Sequence, residues 1–171
     1  MINLFYIIVY GFLGYVLERI VNLVFLGFWL DNSVLFMPVQ PMYGLGVVGT
    51  VLISRKIRTY SLRKPLEITL LMIAAILATA ASEAVSGELY EWLYDRRLWD
   101  YGDTFSFCTY PYVCIIPTGL FGILSGLSVL WVHPFIKSLA KAFPRKLILG
   151  AILIFVLDFI HTYSADFLSR F

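Results

Sequence analysis

Charge is what this chain has least of. Only 14% of its 171 residues are Asp, Glu, Lys or Arg, while 60% are hydrophobic, against roughly 25% charged in an ordinary soluble domain. That balance excludes a water-solvated globular fold. No alternating run of the kind a transmembrane barrel needs is present, so the backbone must satisfy its own polar groups in helices. A Walker sequence, a nucleophile motif, a metal triad and a phosphate-binding loop are all missing. The first apolar segment lacks the basic n-region and small-residue cleavage site of a signal peptide and carries Glu18 and Arg19, so it is expected to be retained.

What the chain does have is long apolar runs. Five stretches, approximately residues 4–25, 39–57, 66–93, 112–136 and 147–167, approach or exceed the length of about 20 residues that crosses a roughly 30 Å hydrocarbon layer. The third exceeds a straight crossing and is expected to tilt or project. The expected fold is an all-α integral membrane protein, one five-transmembrane-helix bundle over residues 1–171.

Nine of the thirteen Lys and Arg fall in two short loops. Arg55, Lys56, Arg58, Arg63 and Lys64 join the second and third segments, and Lys137, Lys141, Arg145 and Lys146 join the fourth and fifth. Basic residues near segment ends stay on the cytoplasmic side, so the N-terminus is expected inside and the C-terminus outside. Those loops would attract anionic lipid headgroups; being short and next to the membrane, they give no support to nucleic-acid binding. Ten of the eleven acidic residues, all but Glu67, fall in or beyond the opposite halves of the segments.

The third segment carries the most chemistry. Glu83, Gly87 and Glu91 follow at four-residue steps and cover an arc of about 80°, which Glu88 widens to about 140°. By helical rise these carboxylates sit about 25 Å or more along the segment, in its outer part. The loop beyond holds Asp95, Arg96, Arg97, Trp99, Asp100, Tyr101 and Asp103. It reads either as an interfacial aromatic belt with Arg neutralising Asp or as a cover over the acidic cluster. On the first segment Gly11, Gly14, Glu18 and Asn22 share a face. Glu18 is expected to pair with a donor such as Arg96 or Arg97, and Arg19 to snorkel or find another carboxylate.

The outer loop from Gly27 to Pro41, with Trp29, Leu35 and Phe36, is amphiphilic and is expected to lie at the interface or dip inward. Gly44, Gly46 and Gly49, and then Gly122 and Gly126 as GxxxG, form small-residue faces for internal packing or a homo-oligomer. His133 and Pro134 are expected to end the fourth segment. Asp158 and His161 share a face of the fifth and could relay a proton, bind a metal or form a plain interhelical bond. Cys108 and Cys114 leave both a disulfide and two free thiols open. Displacing the chain by seventy residues superposes Glu18 on Glu88, Trp29 on Trp99, Pro41 on Pro111 and Gly49 on Gly119, the mark of a parallel two-helix repeat.

The pieces LGYVLE, PVQPMYGLG, EAVSGELYE, WDYGD and the closing HP, covering most of residues 11–134, resemble in order and spacing the bacterial family called putative ABC-transporter type IV, or CmpB-like. Between Asp103 and Pro117 the chain reads TFSFCTYPYVCIIP and departs from that pattern. The resemblance implies a multi-pass, permease-like protein of the bacterial cytoplasmic membrane. Glu18, Glu83, Glu91, Trp99, Asp100 and Tyr101 match its motifs, without an established catalytic role to carry over.

An intramembrane carboxylate costs at least about 2.5–3.5 kcal/mol at a helix centre, so several in one chain need partners or a task. The leading expectation is a transport or permease protein. Its outward-facing acidic site, rimmed by Trp99 and Tyr101, takes a cation, a proton or a positively charged small molecule, with Asp158 and His161 as relay. Any use of ATP would need a separate ATPase subunit. One alternative is an intramembrane enzyme acting on a lipid or lipid-linked substrate, which the missing motifs weigh against. The other is a non-catalytic accessory subunit whose acids are tied into structural bridges. The sequence names no cofactor.

Overall fold

The computed structural model describes residues 1–27 and 33–168; Trp29 and Arg170 lie outside the described residues. Its regular elements are helices: α1 (Ile2–Leu26), α2 (Pro41–Arg58), α3 (Lys64–Tyr94), the short α4 (Tyr101–Thr104), α5 (Ile115–Leu127), α6 (His133–Ala142) and α7 (Arg145–Leu168). Among the described residues four stretches are long and apolar enough to cross a membrane: α1, α3, α7 and the continuous helix from Ile115 to Ala142. The expected second segment is a helix as well, but α2 has 18 residues and its last turn carries Arg55, Lys56 and Arg58. What precedes that turn, Pro41 to Ser54, rises only about 21 Å.

Local chemistry fixes the ends. Gly27 closes α1 in the left-handed region, φ 76°, donating its N–H to Leu23. Pro65 sits in the first turn of α3, where its missing N–H costs nothing, and Asp95 closes that helix at φ 52°. His133 and Pro134 do not end the fourth segment, contrary to the sequence expectation. The chain takes one π turn, Ser128–Val132, with His133 donating to Ser128, and continues to Ala142. The wider turn falls where proline's lost donor and ring clash would break a regular helix.

The chain forms two compact units, residues 1–44 with 138–171, and residues 45–137. In the first, Ile8, Leu35, Val39 and Phe155 make the core, with Met37 and Ile152 packed on it. The segment before α2 therefore dips inward: Leu35 and Val39 are buried while Phe36 between them is exposed. Gln40 donates its backbone N–H to Gly11 at 3.1 Å. Gly44 lies so close to α1 that a Cβ there would stand 2.2 Å from the Ile7 carbonyl oxygen.

In the second unit α3 packs chiefly on α5. Gly122 lets the helices meet at Ile76, and Gly126 takes the Met72 sulfur. Buried Thr50 and Ser125 join α2 to α5 through their hydroxyls at 3.1 Å, beside a small core of Val51, Leu71 and Val129. The opposite faces of the long helices are open and apolar, Leu77, Val85 and Leu89 on α3 and Leu153 and Leu157 on α7, as lipid contact demands.

These contacts separate two kinds of glycine on α5. A Cβ at Gly122 would lie 2.5 Å from the Ile76 Cα, whereas one at Gly119 meets nothing within 4 Å. Gly122→Ala is expected to destabilise the protein by about 1–3 kcal/mol, and Gly119→Ala to be neutral or stabilising by up to about 1 kcal/mol. Thermal unfolding in detergent checks both.

Candidate functional site

The buried line of α3 runs through Leu71, Ala75, Thr79, Glu83 and Gly87 and on to Tyr90 and Tyr94. Four-residue spacing places one carboxylate inside that line, and Glu83 is only 2% exposed. It is held by hydroxyls alone: Tyr101 donates to Oε1 at 3.0 Å and Thr118 to Oε2 at 2.5 Å. No cation lies within ion-pair reach of it among the described residues. Thr118 in turn accepts the Cys114 N–H at 3.0 Å, which fixes it at the start of α5.

One turn on, Gly87 leaves room for the Tyr112 ring: a Cβ there would fall 2.3 Å from Tyr112 Cδ1. The ring lies flat over that gap, and its hydroxyl donates to Glu91 a further turn along. Arg97 bridges Glu91 at 2.9 Å and Asp100 at 2.6 Å. Both carboxylates hold the guanidinium proton more firmly, raising the Arg97 pKa, Glu91 the more strongly. Glu88, exposed, accepts from Tyr110 at 2.5 Å.

The loop that supplies these donors is tied down at several points. Asp100 caps α4 by accepting the Gly102 N–H at 2.8 Å, and Tyr101 donates its backbone N–H to Pro111 at 2.8 Å. Trp99 donates to the Tyr112 carbonyl at 3.4 Å and packs edge-on to that ring. Arg96 reaches the Tyr90 hydroxyl at 2.8 Å. Cys108 and Cys114 form a disulfide, with Cα atoms 5.4 Å apart, resolving the two alternatives that their spacing left open.

The other two candidate acids, Glu18 and Asp158, belong to the first unit. Glu18 accepts from the Tyr43 hydroxyl at 3.0 Å, and Tyr43 lies over Gly14, where a Cβ would be 2.5 Å from the ring. This is the arrangement of Gly87, Tyr112 and Glu91 a second time. Arg19 does not snorkel: it is buried, with its guanidinium 4.1 Å from the Tyr15 ring centre. Asp158 accepts the backbone N–H groups of Phe36 and Met37 at 3.2 and 2.7 Å and the Thr162 hydroxyl at 3.1 Å. His161 packs edge-on to Phe36. The pair holds the segment before α2 and makes no bond between carboxylate and imidazole.

Sequence reasoning missed the hydroxyl donors Tyr43, Tyr110, Tyr112 and Thr118. The signal was present in Pro41-Met42-Tyr43 and Pro111-Tyr112, a tyrosine just past a proline in each case; Pro41 opens α2, and Pro111 lies four residues before α5. Among the described residues no group of three or more His, Cys, Asp or Glu could hold a metal.

Long helices with apolar faces open to their surroundings and carboxylates turned onto hydroxyls define a class: this is a multi-pass helical membrane protein. Within that class, the family described as Putative ABC-transporter type IV matches residues 5–164, and the chain belongs to it. The match runs past the resembling motifs into α7. No curated protein and no solved structure is similar enough to the chain to count as a match.

The Glu88 contact carries a pH signature. Its hydrogen bond, reinforced by burial, raises the Tyr110 phenol above its ordinary value. A raised folded pKa means the contact stabilises fully below the unfolded value of about 10 and is lost as pH rises through the folded value. In an alkaline absorbance titration, the wild-type curve minus that of Tyr110→Phe is expected to have its midpoint above about 10, and Glu88→Gln to bring it back toward about 10.

Proposed function

We propose that the chain is the membrane-spanning part of a transport system in the bacterial cytoplasmic membrane, and that Glu83 is the group that takes a proton or a small cation. One observation carries this reading: Glu83 is buried on a membrane-length helix with two hydroxyl donors and no compensating cation among the described residues. A carboxylate so placed attracts positive charge, because the low-polarity surroundings leave its own charge unbalanced. Glu88, Glu91, Trp99, Asp100 and Tyr101 form the approach, and Glu18, Asp158 and His161 hold the first unit together. Energy from ATP would come from a separate ATPase subunit, in keeping with the family description.

The proposed topology has five spans, with α2 as a short one whose basic last turn lies in the cytoplasmic interface, the N-terminus inside and the C-terminus outside. The twofold occurrence of a glycine, a tyrosine and a glutamate in one geometry supports a parallel repeat of two helices, with Gly14 and Glu18 answering to Gly87 and Glu91. The small-residue faces are taken up within each unit where they are tight, which supports internal packing over a homo-oligomer.

A non-catalytic accessory subunit is the second reading, favoured by Glu91, which is closed by Arg97 and Tyr112. Proteoliposomes containing a trapped pH dye, challenged with a sodium or a proton gradient in the presence of any copurifying ATPase, separate the two. Glu83→Gln is expected to remain folded and to reduce flux by at least about tenfold, a loss of some 1.4 kcal/mol at the site. Full flux in that variant would sink the transport role of Glu83. A lower melting temperature with no wild-type flux to lose would favour the accessory role.

A further inference from the structure

Arg55 and Arg58 stand three residues apart in the last turn of α2, and His133 and Lys137 stand one turn apart on α6. All four line a cavity of about 180 Å³ in the second unit. Its floor includes Val51 and Val129, both buried. No acidic side chain is among its lining residues. Arg58 reaches Glu67 at 3.4 Å, but Lys64 holds that carboxylate more closely at 2.9 Å. Arg55 and Lys137 have no ion-pair partner among the described residues.

A basic last turn answers the partial negative charge at the end of α2, which accounts for Arg55 and Arg58 as helix chemistry. It does not account for Lys137, which comes from a different helix more than a turn before its end. Like charges brought around one hollow repel each other unless something negative occupies it. Guanidinium forks match phosphate oxygens in geometry, and an ammonium adds a point charge. We propose that this cavity binds a phosphate group, with Arg55, Arg58 and Lys137 as its donors. The apolar floor and the position between the last turn of α2 and the membrane-length helix Ile115–Ala142 fit the headgroup and glycerol neck of an anionic phospholipid, and a soluble phosphate ester offers the same chemistry. The site stands independently of any transport activity.

The test titrates purified full-length protein with dioctanoyl phosphatidylglycerol and, separately, with inorganic phosphate, reading binding by native mass spectrometry and intrinsic fluorescence. Arg55 and Lys137 are exposed, so Arg55→Gln and Lys137→Gln are expected to fold. Lys146→Gln is the control, removing one charge from the first turn of α7, outside the cavity. Each cavity variant is expected to weaken phosphatidylglycerol binding by about tenfold, and the control to leave it nearly unchanged. Failure of inorganic phosphate to compete assigns a lipid headgroup, and competition at similar concentration assigns a soluble phosphate; both support the site. Cavity variants that bind like wild type or no more weakly than Lys146→Gln, or a wild-type protein that binds neither probe, would overturn it.

Discussion

A tyrosine ring lying over a helix glycine, with its hydroxyl on a glutamate one turn further along, is the constraint on which the structure depends. Each part requires the others. Glu18 and Glu91 are half-buried, and a carboxylate partly withdrawn from water on an apolar helix needs a donor. The donor cannot reach it unless the position one turn earlier carries no side chain, as the contacts at Gly14 and Gly87 demonstrate. The tyrosine, in turn, can be presented only if the chain re-enters the helical layer at that level, which Pro41 and Pro111 mark.

The same constraint explains the dense tethering of the loop between α3 and α5. Tyr101, Tyr110 and Tyr112 all leave that loop for carboxylates on α3, and a donor helps only if its backbone is held in place. The disulfide, the Asp100 cap and the Trp99 contact to the Tyr112 carbonyl each restrict that segment. In the first unit one tyrosine suffices, and the loop is anchored differently: Asp158 takes two of its amides, and Gly11 accepts a third. Asp158 and His161 therefore act on the loop together without bonding to each other.

Much of this was legible in the sequence, and the failures have physical causes. Apolar run length located the long helices to within a few residues, because lipid-facing composition is dictated by the solvent. Four-residue spacing put Glu83 and Gly87 on the buried line of α3, because helical geometry alone decides that. Pro134 misled, because its effect depends on the turn before it, and a π turn leaves no mark in composition. Tyrosine donors were overlooked because a tyrosine near a membrane boundary reads first as an interface anchor. The seventy-residue displacement paired Glu18 with Glu88, whereas the geometry pairs it with Glu91. Trp29 to Trp99 and Pro41 to Pro111 preserve that displacement, but the glycine and glutamate on α3 sit three residues further along. Loop landmarks and helix landmarks therefore follow different offsets, and a single shift cannot register both.

The identity of the donor is what distinguishes the glutamates from one another. Arg97 brings a full positive charge to Glu91, so that pair is close to neutral as a unit and has little further demand for a cation. Tyrosine and threonine hydroxyls orient a carboxylate and satisfy its lone pairs while leaving its net charge in place. Among the described residues Glu83 has only such donors; it is the most deeply buried of the four glutamates on α3 and is reached from two separate elements, α4 and α5. Simple bridging would be served better by an arginine, which the loop already contains at positions 96 and 97; Arg97 goes to the more exposed Glu91 and Arg96 reaches the Tyr90 hydroxyl. A fold that places its cations there and its hydroxyls on the buried carboxylate leaves Glu83 without an ion-pair partner among the described residues, which is the condition that the proposed exchange of a proton or cation at Glu83 requires.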